Sequence, residues 1–235
     1  MIGASRFAGT YSSFWRNVTP TIDLFVRKIN LDLYERLETP ANYQVEPTRS
    51  ALVAETAFAL FDQLTRHDGD RTHFIQRFTE QATDEARRRL ALLNAENIGD
   101  DLNQDELNAT QELFLRLSSF FSDAQGRVLV VRPEFPGCGF VDRSEGDVIY
   151  GDALFEIKAV DRNFRSVDIK QLITYAALNH KSGTYSFRDI GLFNPRRGTE
   201  FRMGLDDVCM ETSGISAIEL LEMIAYSIAS GEVSR

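Results

Sequence analysis

Asp147-Val148-Ile149-Tyr150-Gly151-Asp152-Ala153-Leu154-Phe155-Glu156-Ile157-Lys158 places two runs of β-prone residues on either side of Gly-Asp. Glycine at the first central position marks a two-residue hairpin loop of the kind that needs a positive φ there. The loop predicts Tyr150 opposite Ala153, Ile149 opposite Leu154, Val148 opposite Phe155 and Asp147 opposite Glu156, with Glu145 facing Lys158 one pair further out. In that register Val148, Tyr150, Ala153, Phe155, Ile157 and Ala159 share an apolar face. Glu145, Asp147, Glu156 and Lys158 share the other.

Directly opposed residues have Cβ atoms about 5 Å apart. Two carboxylates at that spacing repel by on the order of 3 kcal/mol at an effective dielectric of about 20. A divalent cation removes the penalty, because Mg2+ takes hard oxygen ligands and keeps waters for chemistry. Lys158 points to the same side and can orient a water or a phosphate oxygen. The competing reading is a hairpin with ordinary polar residues on a wet face.

Outward from the hairpin, the pattern changes period. Residues 127–132 and about 139–150 read as strands, with a bulge near Ser144, and 153–160 as a third. A polar crossover, 161–166, leads into a helix over 167–180. Strands near 189–194 and 199–205 flank the turn Asn194-Pro195-Arg196-Arg197-Gly198, and a helix over 215–230 closes the chain. Before residue 126 the period is helical: 20–38, 49–66, about 72–95 and 104–123. The expectation is an α/β protein with a mainly helical N-terminal region, 1–126, packed on a core spanning 127–235.

Asp147 followed by Glu156-Ile157-Lys158 in an apolar strand resembles the PD-(D/E)xK nuclease superfamily. Gln171-Leu172-Ile173-Thr174-Tyr175 on the next helix is similar to the Gln-x-x-x-Tyr helix of its RecB-like branch. Gln171 and Tyr175, four apart, share one helical face. The likeness covers roughly residues 127–205. It implies a restriction-endonuclease-like αβββαβ core and Mg2+ or Mn2+ held by Asp147, Glu156 and the carbonyl of Ile157. It further implies that Lys158 assists a water, that Gln171 and Tyr175 position it, and that a helical acid, Glu55 or Glu112, completes the set, with Glu55 fitting better. Gly146 stands where a proline often precedes the aspartate. The implied activity is DNA cleavage, with DNA repair or anti-phage defence as the habitual setting.

Composition bounds this reading. With 235 residues and 43% hydrophobics, the chain can bury a real core. No run approaches a membrane span, and the N-terminus lacks a signal-like apolar stretch. Two cysteines without metal spacing suggest a reducing cytoplasm, and three scattered histidines argue against zinc or His-based catalysis. Phosphate-loop and Gly-x-Ser-x-Gly patterns are absent. The net charge of −9 fits DNA poorly, yet residues 158–202 carry nine Lys/Arg against four acids. Arg162, Arg165, Lys170, Arg196 and Arg197 in that stretch are the candidate phosphate contacts. A protein partner that delivers the DNA would resolve the tension between the two charges.

Overall fold

The computed structural model describes residues 1–69, 73–92, 99–122 and 126–233. Its chain opens with α1 (Ala4–Thr10), α2 (Ser12–Val18) and α3 (Ile22–Lys28), the last running into a π-turn (Ile29–Leu33) and a short strand, β1 (Glu35–Arg36). Helices α4 (Ser50–Thr65), α5 (Phe74–Leu92) and α6 (Gln104–Phe120) follow. Then come β2 (Leu129–Val131), β3 (Glu134–Phe135), β4 (Ser144–Glu145), β5 (Val148–Tyr150) and β6 (Ala153–Ile157). The remainder is α7 (Ser166–Ser182), β7 (Asp189–Asn194), β8 (Thr199–Gly204), α8 (Leu205–Ser213) and α9 (Ala217–Ser230).

The hairpin forms in the register its loop dictates. Tyr150 pairs with Ala153, Ile149 with Leu154 and Val148 with Phe155. Gly151 sits at φ +61°, and Asp152 is not left-handed, as a loop with glycine first requires. The hairpin belongs to a mixed six-stranded sheet of order β1-β8-β7-β6-β5-β2, in which only β6 and β7 run parallel. Helix α7 makes the crossover between those two. The protein is therefore α/β.

Both faces of the sheet are covered. Val148, Tyr150, Ala153 and Phe155 pack against α4 and α6 through Phe61, Phe114 and Phe121. Ile149, Leu154, Ile190 and Leu192 pack against Phe7, Trp15, Phe25 and the α7 residues Ile169, Leu172 and Ile173. The second hairpin face is thus not wet: it is core along most of its length and becomes polar only at the end of β6. Gly191 allows this packing, since a Cβ there would meet the Phe155 ring at 2.4 Å. Residues on either side of position 126 share both cores, and β1 carries the N-terminal region into the sheet beside β8.

Several elements depart from expectation. The helix expected over 20–38 is α-helical to Lys28 and continues as a π-turn to Leu33, after which the chain leaves as β1 with Leu37 exposed. The strand expected over 139–150 is broken into β4 and β5 opposite the left-handed Arg132, although the Gly146 N–H still donates to the Pro133 carbonyl and the Asp147 carbonyl still accepts the Arg132 N–H. β4 pairs with β3 in a separate two-stranded sheet. Helices α1, α2 and α8 had no counterpart in the sequence reading. The expected ends at Thr72, 93–95 and 123 lie outside the described residues.

Candidate active site

The end of β6 and the start of α7 carry the polar cluster. Glu156, 5% exposed, accepts hydrogen bonds at Oε1 from Lys158 Nζ (2.8 Å) and Gln171 Nε2 (2.8 Å). Gln171 Nε2 also donates to the Tyr175 hydroxyl (2.8 Å), and Lys158 Nζ donates to Gln171 Oε1 (3.2 Å). Asp147 is half-buried, and its Oδ2 accepts the Ile157 N–H at 2.6 Å. The structure thus brings together Asp147, Glu156, Lys158, Gln171 and Tyr175, and it involves Ile157 through its N–H. Tyr175 is held by stacking on Phe135, ring centroids 5.3 Å apart.

Electrostatics follow from burial. Burial and then the neighbouring Glu156 push the Asp147 carboxyl well above the usual carboxylate range. Burial also raises Glu156, although the Lys158 ammonium opposes it. For Lys158, burial pulls downward, but Glu156, Asp147 and Asp168 together prevail and raise it. Burial, Glu156 and Asp147 push the Tyr175 phenol far up, so it is a hydrogen-bonding group at neutral pH.

Glu55 approaches this cluster without joining it. Its Oε1 is held by Arg89 Nε (3.0 Å) and Arg132 Nη2 (2.8 Å). Glu145 does not face Lys158; its carboxylate is captured by the same two guanidiniums, Arg89 Nη2 and Arg132 Nη1. The break at Gly146 turns β4 aside and makes that capture possible. The four groups form a closed ring of alternating charge, anchored further by Arg132 Nε on Asp62 (3.3 Å). Glu112 pairs with Arg116 (2.8 Å).

The candidate phosphate contacts are scattered. Arg162 is bidentate on buried Asp168 (2.7 and 2.9 Å). Arg196 lies over the Tyr43 ring and 3.8 Å from Asp161. Lys170 lies over the Trp15 ring, on the α2 side of α7. Arg165 is exposed, and Arg197 shares a small recess with Arg162, Asn30 and Phe164.

Sequence reading missed the involvement of Asp168, Arg132 and Arg89. Asp168 had a signal: it stands three residues before Gln171 and so shares that helical face. Arg89 is the last of three consecutive arginines on α5, and nothing in the sequence singles out Arg132.

No family model matches the chain, and no curated protein is significantly similar to it. Among the described residues, no helix is long and apolar enough to cross a membrane.

The residues suit a divalent cation in donor chemistry. Among the described residues no three His, Cys, Asp or Glu gather into a ready cage. The donors on offer are the two carboxylates. Glu156 Oε2 is buried without a hydrogen-bond partner, a costly state for a carboxylate oxygen. A hard cation between Glu156 and Asp147 would satisfy that oxygen and relieve the crowding of like charge.

Proposed function

We propose that this protein is a divalent-metal-dependent nuclease that hydrolyses phosphodiester bonds in DNA, on a PD-(D/E)xK-like core. The observation that carries the reading is the unpartnered Glu156 Oε2 beside a crowded Asp147, with an ammonium 2.8 Å from the same glutamate. The core order α6-β2-β5-β6-α7-β7 is compatible with that family. Asp147 and Glu156 would hold Mg2+ or Mn2+, which when bound lowers the pKa of a water and polarises the scissile phosphate. Lys158 places positive charge where negative charge develops on the phosphate. Gln171 fixes the Glu156 carboxylate and the Lys158 head in one network of hydrogen bonds. Tyr175 remains protonated and anchors Gln171 from behind. Asp147→Ala should abolish Mg2+- or Mn2+-dependent plasmid degradation and Lys158→Ala should cut it to a small measurable residue, while circular dichroism stays native; undiminished cleavage by either would remove the assignment.

A second reading is favoured by the state of the basic stretch. Lys158, Arg162, Arg188, Arg196 and Arg202 are each paired with an acid of the same molecule. The surface left for phosphate is therefore small, and the net charge of −9 opposes unassisted binding. In this reading the chain is a subunit whose partner presents the DNA. Cleavage that appears only when a co-purifying protein is added back would support it; full activity of the isolated chain would not.

A further inference from the structure

Asp168 lies at the third position of α7 and is 1% exposed. Its carboxylate accepts both Nη groups of Arg162 (2.7 and 2.9 Å) and the Arg165 N–H (2.8 Å), and it lies 3.8 Å from Lys158 Nζ. A carboxylate sealed from water is tolerated only when donors surround it, and here they do. The arm carrying Arg162 is clamped on two sides. Asn30, in the π-turn after α3, makes paired hydrogen bonds to the Phe164 backbone (2.9 and 3.1 Å). Asn194, at the end of β7, donates to the Val160 carbonyl (2.8 Å). A lysine head on a four-carbon stem is mobile unless caged. The Lys158 head is caged by Glu156, Gln171 and Asp168.

We propose that Asp168, braced by Arg162, is a positioning residue that holds the Lys158 ammonium against the Asp147–Glu156 pair. Arg162 is then a strut and not a phosphate contact. The catalytic consequence rests on the nuclease reading; the positioning itself does not.

The test is a set of variants, Asp168→Asn, Arg162→Met, Lys158→Ala and the 158/168 double, assayed for Mn2+-dependent cleavage and for DNA binding across a salt series. Asp168→Asn and Arg162→Met should each lower kcat by on the order of 10- to 100-fold, the scale expected for a misplaced reacting group, with KM unchanged. Asp168→Asn should add nothing to Lys158→Ala. The salt slope of binding should stay the same in Arg162→Met, whereas loss of one duplex phosphate contact would reduce it by about 0.9. A raised KM with a shallower slope, or losses at 158 and 168 that multiply, would overturn the proposal. If the wild type cleaves neither alone nor with a co-purifying protein added back, the nuclease reading fails on its own. The same 158/168 cycle read by urea unfolding then decides the positioning, with coupled losses supporting it and additive losses refuting it.

Discussion

Arg132 adopts φ +56°, a backbone state that costs an L-residue about 1–2 kcal/mol. Three carboxylates hold it there: Glu55, Glu145 and Asp62 each take a different nitrogen of its guanidinium. Removing the guanidinium leaves Glu55 and Glu145 to Arg89 alone and Asp62 to Arg66 alone, so Arg132→Ala should lose about 1–3 kcal/mol in urea unfolding. Arg132→Gly should lose about 1 kcal/mol less, because glycine has no penalty at positive φ; equal losses would mean that strain contributes nothing. Asp147 gives a pH signature. Its raised folded-state value, like that of Glu156, means that the associated stability is full below the ordinary 3.8 and 4.5 and is lost as pH climbs through the raised values. Asp147→Asn should therefore raise the Tm of the metal-free protein at neutral pH by about 2–4 °C, what 1 kcal/mol is worth at this size, and flatten its pH profile. Mn2+ should stabilise the wild type and leave Asp147→Asn unmoved. At this scale the hairpin pattern disclosed the two carboxylates and the lysine, whereas the glutamine and the tyrosine were pointed to by the resemblance to a Gln-x-x-x-Tyr helix. It could not disclose the arginine ring, whose members come from four separate segments and meet only through tertiary packing.

Among the elements, the hairpin and α7 were legible because a glycine loop and an unbroken apolar period leave little choice of register. β7 and β8 were legible for the same reason on either side of Asn194–Gly198. The short pieces were not. α1 and α2 are seven residues each, below the length at which a helical period can be counted, and both are held by the aromatic cluster of Phe7, Phe14 and Trp15. The break between β4 and β5 faces Arg132, whose left-handed backbone between β2 and β3 no local pattern records. Gly191 offers a test at this scale. A methyl group there would press on the Phe155 ring and, at 2.9 Å, on the Phe201 carbonyl. Gly191→Ala should destabilise the sheet by about 1–3 kcal/mol in urea unfolding, and a variant as stable as the wild type would mean that β6 and β7 can move apart.

For the molecule as a whole, the two sheet faces draw on both halves of the sequence. Phe7, Trp15 and Phe25 cover one face, and Phe61, Leu113 and Phe121 cover the other. A fragment spanning 127–235 would bare the face that α4 and α6 cover and would strip Phe7, Trp15 and Phe25 from the other, leaving it to α7 and α9. It should be insoluble or lack dispersed amide resonances, whereas a well-dispersed spectrum would make residues 127–235 an independent folding unit. The π-turn after α3 has a consequence for the length of the chain. Its closing bond, from the Tyr34 N–H to the Ile29 carbonyl (3.1 Å), spans five residues where an α-helix would span four. One residue more than the helical repeat sets the direction in which the backbone departs, and Glu35 arrives opposite Glu200 only from that direction. Excising any single residue between 31 and 33 would rotate the exit by about 100° and swing the outermost strand away from its neighbour. Spacing in this segment is therefore under tighter constraint than residue identity, so an exchange there should be tolerated where a deletion is not.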